Sequence, residues 1–436
     1  MKLQVFAEIL GREVLVGFIE GASYREAVFQ YTEDYLKSGS GAVSISLPLQ
    51  EEAFSAMQTR NFFEGLLPEG FSRRAVSRWI KTEEEDYLTI LSVLGQECIG
   101  ALRLTEQGTE EPAGSYELLT SEQVRSLAEE GASRSTRLLV ESRLSLAGAS
   151  GKVGLYFDRE NGQWYLPKGK APSTHIVKQS HVRLEKIVLN EQLCLMTARQ
   201  MGLEVPDSFI INIGSGNDDE VLFASERYDR RQFSQKNING LIVPYRLHQE
   251  DFGQALGISS GEKYEPSGGM YLRKMFSLLR DYAGNPIEDQ RRLWDRIIFS
   301  RLIGNTDSHV KNFSLLYGPD LKTVSLAPVY DVVSTVIYDL TGKMSFAIGG
   351  EYELDKITRE SFRAAARDVG LGVKMALERY DLMKEAFVPA LKASAQELCD
   401  KGFPEARMIC DRILDRTHIR TCECPPVDDR GARRNR

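Results

Sequence analysis

No run of about 18 apolar residues occurs anywhere in the chain, so no membrane span is expected. The opening MKLQVFAEILGREVLVGF is broken by Glu8, Gly11, Arg12 and Glu13 and has no small-residue cleavage site, which argues against an export signal. Cysteine is sparse and scattered, at Cys98, Cys194, Cys399, Cys410, Cys422 and Cys424. That usage fits reduced thiols in a cytoplasmic protein. His418 with Cys422 and Cys424 has no second pair to complete a zinc site. Positive charge is not in surplus: 55 Lys and Arg against 62 Asp and Glu give a net −7. The surface as a whole is therefore not a nucleic-acid binder, and the basic terminus GARRNR reads as a solvated end. Internal repeats are also missing.

What is present is a globular composition, 42% hydrophobic and 27% charged over 436 residues, enough for two or three domains. KLQVFAEI and EVLVGFIE read as a hairpin around Leu10-Gly11-Arg12. AVSISLPL reads as a strand, NFFEGLLPEG as helical and IGALRL as a closing strand. Phe62, Phe63, Leu66 and Leu67 are expected in the core. EQGTEEPAGS, rich in Glu, Gly and Pro, reads as a linker, and an amphipathic helix is expected over 120–131. KVGLYFD and QWYLPKG flank Asn161-Gly162, a strong hairpin signal, with Trp164 and Tyr165 as core. THIVKQS is a third strand; His175 and His181 beside it carry no expected chemistry. VLNEQLCLMTARQMG has helical spacing, with a stripe of Leu189, Leu193, Met196, Ala198 and Met201. SFIINIG and DEVLFASERYD are further strands. From Gln249 the chain reads as mostly helical, including QEDFGQALG.

One polar string follows the apolar run IIFSRLIG: GNTDSHVKN, with Asp307, His309, Lys311 and Asn312 within six residues. Alone it is a plausible turn. Asp331 follows 19 residues after Asn312, beyond the strand-like VSLAPV. An Asp, an Asn five residues on and a second Asp after a hairpin is an arrangement used for phosphoryl transfer. The first Asp takes the proton of the attacking hydroxyl, while Asn and the second Asp offer oxygen ligands suited to Mg2+. Upstream, Lys178 lies on a strand and Glu191 near the start of the next helix, as a phosphate-binding lysine and its carboxylate partner would. ASERYDR supplies a hinge for adenine. SLAGASGK supplies small residues and a lysine for phosphates. It is not a Walker A loop, because Leu146 stands where that loop needs Gly. Lys311 either neutralises the transferring phosphate or is solvated.

With these pieces in order, the sequence resembles the HipA family, bacterial serine/threonine-protein kinase toxins of HipBA toxin–antitoxin modules. The matching segments are SISLPL with NFFEGLLPEG, LGQECIGALRL, SLAGASGK, LPKGKAPSTHIVK, NEQLCLMTARQMGLEVP, ERYDRR, HQEDFGQALG with KYEPSGG, IGNTDSHVKNFSLL and PVYDVVST, covering about residues 44–335. The resemblance implies an α+β, two-lobed kinase-like fold of the HipA and lipid-kinase kind. Its parts would be a small N-terminal α+β subdomain (1–105), a strand-rich nucleotide-binding lobe (106–248) and a helical catalytic lobe (249–436). It also implies ATP and Mg2+ as cofactors. Asp307 would be the catalytic base, with His309 and Asn312 at the nucleotide and Asn312 and Asp331 on the metal. Tyr330 would pack beside ATP, and Lys178 would reach the phosphates. Ala147, Gly148, Ala149, Ser150, Gly151 and Lys152 would cover them. Glu226, Arg227 and Tyr228 would form the hinge, with Asp229 near the ribose. Ser145 matches an autophosphorylated serine whose modification ejects the loop. Implied partners are a HipB-like helix-turn-helix antitoxin, through which operator DNA is contacted, and a protein substrate, an aminoacyl-tRNA synthetase. No membrane partner is implied.

The sequence departs from the family in two places. Ser150-Gly151 replaces the usual Gln-x of the loop, adding a second hydroxyl, and Val332-Val333 rather than Phe-Gly follows Asp331. Two other readings share part of the set: a small-molecule phosphotransferase, and a nucleotide-binding regulatory module without transfer activity. The N-terminal unit and SLAGASGK weigh against the first. Intact Lys178, Asp307, Asn312 and Asp331 weigh against the second.

Overall fold

The computed structural model describes residues 1–109, 113–130, 137–138, 151–180, 184–231, 235–338 and 340–418. The chain opens with β1 (Lys2–Ile9) and β2 (Arg12–Glu20), an antiparallel pair turned by Leu10 and Gly11, both at positive φ. Two successive positive-φ residues make the tight turn whose twist matches that of the strands. Alternate β1 residues are buried, as a sheet with one covered face requires. With β3 (Val28–Tyr31) and β4 (Leu102–Glu106) the sheet order is β3-β2-β1-β4. Helices α1 (Glu33–Lys37), α2 (Ala56–Phe63), α3 (Gly70–Ile80) and α4 (Tyr87–Leu94) lie between β3 and β4. A capping box of Ser55 and Gln58 starts α2.

AVSISLPL does not form the expected strand; only an isolated bridge joins Ser44 and Leu47. Its donors are used elsewhere. Ser44 Oγ and Ile45 N donate to the Glu250 carboxylate, at 2.5 and 3.0 Å, and Ser46 Oγ donates to the Gln254 carbonyl at 2.7 Å. Tyr317 Oη also donates to Glu250. Burial, only partly offset by these donors, pushes the Glu250 carboxyl up from 4.5 to about 7. A raised carboxyl pKa stabilises the fold fully below the unfolded value of 4.5, and that contribution is lost as pH rises towards about 7. Urea midpoints at a series of pH values are therefore expected to show wild type losing ground to Glu250→Gln between those limits. A constant difference across that window would refute the linkage.

A six-stranded antiparallel sheet follows, in the order β5-β7-β6-β8-β10-β9. The strands are β5 (Ser115–Leu118), β6 (Lys152–Asp158), β7 (Gln163–Lys168), β8 (His175–Gln179), β9 (Ser208–Asn212) and β10 (Val221–Glu226). The β6–β7 hairpin turns at Gly162, with φ +65°, as the Asn-Gly pair predicts. Helix α5 (Ser121–Glu129) covers one face, packing with Leu155, Trp164, Val177 and Leu222. Helix α6 (Ile187–Gln200) covers the other. The expected stripe on α6 is only part of its buried surface. Val188 to Leu195 are all buried, because the sheet packs on one side and a long C-terminal helix on the other.

The remainder is not purely helical. Short ribbons β11 (Arg230–Arg231) to β14 (Tyr245–Arg246) lead to β15 (Gln249–Asp251). It pairs with β16 (Ser314–Tyr317), which pairs with β17 (Val324–Leu326). QEDFGQALG is thus a strand followed by the single turn α7 (Phe252–Ala255), capped by Asp251. Around them stand α8 (Tyr271–Tyr282), α9 (Pro286–Ile303), the ribbon of β18 (Lys343–Ile348) and β19 (Glu351–Glu353), α10 (Arg359–Val369), α11 (Val373–Asp400) and α12 (Glu405–Thr417). The N-terminal sheet and these helices share one apolar core, running from Phe29 and Phe63 through Phe252 to Trp294 and Phe387. Cys98, Cys194, Cys399 and Cys410 are free thiols, while Cys422, Cys424, His181 and GARRNR lie outside the described residues. No helix among the described residues is long and apolar enough to cross a membrane.

Candidate active site

Helix α9 stops at Gly304, whose φ of +72° suits a left-handed cap. A Cβ there would come within 2.4 Å of Val336 Cγ2. The polar loop that follows is built by its own turn formers. Asn305 Oδ1 accepts from Asp307 N at 3.1 Å, and Thr306 N donates to Thr335 Oγ1 at 2.7 Å. The Asp307 carbonyl accepts from His309 N and from Asn312 Nδ2, each at 2.8 Å. All these bonds leave the Asp307 carboxylate exposed to the cleft, where Tyr264 Oη donates to its Oδ1 at 2.7 Å. His309 is buried and stands edge-on to Tyr264, its pKa pushed down to about 4 chiefly by burial, so the ring is neutral.

Three other elements converge on this loop. Alternation along β8 buries His175, Val177 and Gln179 and turns Ile176 and Lys178 to the cleft. Lys178 Nζ lies 2.7 Å from both Glu191 Oε1 on α6 and Asp331 Oδ1 beyond β17. Asp331 itself sits at φ +54°, a conformation a non-glycine residue holds only when its surroundings fix it. Burial opposes the charge on Asp331, yet Lys178 and Lys152 hold its carboxyl well below the usual range. Burial likewise opposes the Lys178 charge, but Asp331 and Glu191 outweigh it and raise its pKa. Burial raises the Glu191 carboxyl. Lys152 pairs across from Lys178 in the sheet and is buried, which lowers its pKa to about 8, Lys178 adding to the effect and Asp331 opposing it.

The cleft these groups line has a volume of about 1480 Å3. Glu226, Arg227, Tyr228 and Asp229 lie along it after β10, and the Tyr228 and Tyr330 ring centroids are 5.7 Å apart. Tyr330 Oη is bonded to Ser314 Oγ at 2.5 Å. The Arg227 and Asp229 side chains turn inward to a buried knot of charge. Arg227 donates to Asp229 at 2.8 and 3.0 Å and to Glu97 at 3.2 Å. Arg230 donates to Glu97 at 3.0 Å, and Gly100 N donates to Asp229 at 2.7 Å. The Asp229 carboxylate, expected near the ribose, is thus spent on joining the hinge to the N-terminal unit. Glu226 instead points outward to Arg159 at 2.8 Å.

Lys311 is not solvated. Its ammonium is buried and 2.5 Å from Glu69 Oε1, and Lys263 holds the other Glu69 oxygen at 2.9 Å. Against the cost of burial, these two lysines bring the Glu69 carboxyl down to about 2. Glu69 and the segment Lys263–Glu265 are site residues that sequence reasoning missed, although both fall inside the quoted strings NFFEGLLPEG and KYEPSGG. Gly151 and Lys152 line the cleft, whereas Ser145, Ala147, Gly148, Ala149 and Ser150 lie outside the described residues. Among the described residues no cluster of three or more His, Cys, Asp or Glu forms a closed metal cage. Asn312 and Asp331 instead offer separate oxygen donors to the cleft. Asn312 commits its amide nitrogen to the Asp307 carbonyl, and its side-chain oxygen takes no part in that bond.

Comparison with known proteins shows the family. The family model described as HipA-like C-terminal domain matches residues 144–391, and that described as HipA N-terminal domain matches residues 7–105. A putative kinase of Sinorhizobium fredii, Y4mE, is 32% identical over 93% of this chain and 96% of its own length. The serine/threonine-protein kinase toxin HipA of Shewanella oneidensis is 27% identical over 79% of this chain and 78% of its own. The solved complex of Shewanella oneidensis HipA, HipB and operator DNA contains a chain with the same fold, at TM-score 0.78 and 22% identity, covering 95% of this chain and 96% of that one. The chain belongs to the HipA family of kinases.

Proposed function

We propose that this chain transfers the γ-phosphate of ATP to a serine or threonine hydroxyl and acts as the toxin of a toxin–antitoxin module. The observation that carries the reading is Lys178 bridging Glu191 and Asp331 at 2.7 Å each, in one cleft with Asp307 and Asn312. Such a constellation does little covalent chemistry of its own; it positions and neutralises. The acceptor hydroxyl gives its proton to Asp307 as its oxygen bonds to the γ-phosphorus, and the bond to the ADP oxygen breaks. Lys178, Lys152 and Lys311 offset phosphate charge. The Glu226–Tyr228 backbone and the Tyr228 and Tyr330 rings receive the adenine end. Mg2+ held by Asn312 and Asp331 would neutralise the phosphates further.

Ala147 to Lys152 cover the phosphates, and Ser145 is the residue the kinase modifies on itself. The partner is a HipB-like helix-turn-helix antitoxin that carries the kinase to operator DNA. In support, the HipA of the Shewanella oneidensis complex is bound with HipB and operator DNA, and a net charge of −7 suits indirect contact. The substrate, by family resemblance, is an aminoacyl-tRNA synthetase, and the setting is the cytoplasm. Incubation of the purified chain with Mg-ATP is expected to add one phosphate, mapped to Ser145 by mass spectrometry. An unchanged mass, with ATP bound, would favour the nucleotide-binding module without transfer.

A further inference from the structure

The segment Lys263–Glu265 is strapped across the catalytic loop. On one side Lys263 is tied to Glu69 at 2.9 Å. On the other, Glu265 N donates to the Ser345 carbonyl at 2.8 Å, and its carboxylate accepts from Tyr271 N, Ala347 N and Tyr352 Oη at 2.6, 2.8 and 2.6 Å. Tyr264, between these anchors, is held differently. It is half exposed, and the hydrogen bond described for its hydroxyl is the one to Asp307 at 2.7 Å; its ring stands edge-on to His309 with centroids 5.4 Å apart. A hydroxyl about to be deprotonated by a general base must lie within roughly 2.6–3.2 Å of it. Tyr264 Oη meets that requirement on the residue assigned the base's role.

Building on the kinase reading above, we infer that Tyr264 occupies the acceptor-hydroxyl subsite. It is an internal stand-in that the substrate serine or threonine displaces. The anchors explain how displacement costs little. Glu69, Lys263 and Glu265 hold the backbone of the strap, so the phenol swings out about its own side-chain bonds while the strap stays. The subsite then admits a hydroxyl carried on an exposed protein segment lying along Lys263–Glu265. While the phenol is in place it also fills the position beside Asp307 Oδ1 that water would otherwise take. Without it, water takes the same position: its oxygen bonds to the γ-phosphorus, its proton passes to Asp307, and the bridging bond breaks to release ADP. ATP and water thus become ADP and phosphate.

The test is Tyr264→Phe, which keeps the ring against His309 and removes only the hydroxyl. ATP hydrolysis without any protein acceptor is expected to rise by about tenfold, the scale of one hydrogen bond to a charged group. Nucleotide affinity and melting temperature should stay as in wild type. In an Asp307→Asn background the same change should leave hydrolysis at its residual level, a coupling that a packing role would not produce. Hydrolysis unchanged or reduced in Tyr264→Phe, with nucleotide still bound, overturns the inference and makes Tyr264 a residue that positions the Asp307 carboxylate. Failure of wild type to bind ATP at all is a different result and brings down the kinase reading beneath it.

Discussion

Asp307→Gln is expected to lower phosphate transfer by about a thousandfold, within the range a positioned general base supplies. The architecture makes the change specific. The bonds that Asp307 contributes to the shape of the loop come from its backbone: its N–H to Asn305, its carbonyl to His309 N and Asn312 Nδ2. The side chain touches Tyr264 and the open cleft, so its replacement leaves the loop standing. Nucleotide affinity, measured by titration, should therefore change little. Phosphate incorporation at Ser145 should vanish, and any growth arrest caused by expression should be relieved. A variant labelled as strongly as wild type would remove Asp307 from the chemistry.

Glu97→Ala carries the largest expected cost in stability. Glu97 Oε1 accepts from Ser173 N, Ser173 Oγ, Arg227 and Arg230 within 3.2 Å, and its side chain is only 3% exposed. Burial opposes its charge, but the two arginines and Arg246 hold its carboxyl below the usual range. Removing it leaves two buried guanidinium groups with Asp229 as their remaining close counter-charge. Breaking one partner of a buried pair costs about 3–5 kcal/mol. The urea midpoint should fall, with little change in slope if the native fold persists. Nucleotide affinity should drop with it, because the same knot fixes the backbone after β10. Glu97→Gln, which keeps hydrogen-bonding capacity without charge, should lose less. Equal stability of wild type and Glu97→Ala would show that the knot is not what joins the two units. The low Glu97 pKa adds a sign: its contribution is present above 4.5 and fades as pH falls through the folded value.

Much of the fold is legible because its signals are local. Leu10-Gly11 and Asn161-Gly162 turn hairpins, alternation marks β1 and β8, and Gly304 ends α9. Lys178, Glu191, Asp307, Asn312 and Asp331 carry chemistry in their residue types and order. AVSISLPL misled because a strand needs a neighbour, and here Glu250, some 200 residues away, takes Ile45 N and Ser44 Oγ, while Tyr31 Oη takes Val43 N. QEDFGQALG misled because its first residues pair with β16 before the helical turn begins.

The sequence by itself determined β1, β2, β4 and β6 to β10, the end of α9, the order of the phosphoryl-transfer residues and the family they resemble. Those properties depend on residues a few positions apart, or on residue type alone. Only the tertiary structure decided which charges meet. It set Lys311 on Glu69, closed Glu97 over Arg227 and Arg230, and laid the Tyr264 hydroxyl on Asp307. Each of those contacts spans tens to hundreds of residues, and its partner is chosen by packing, which no local pattern encodes.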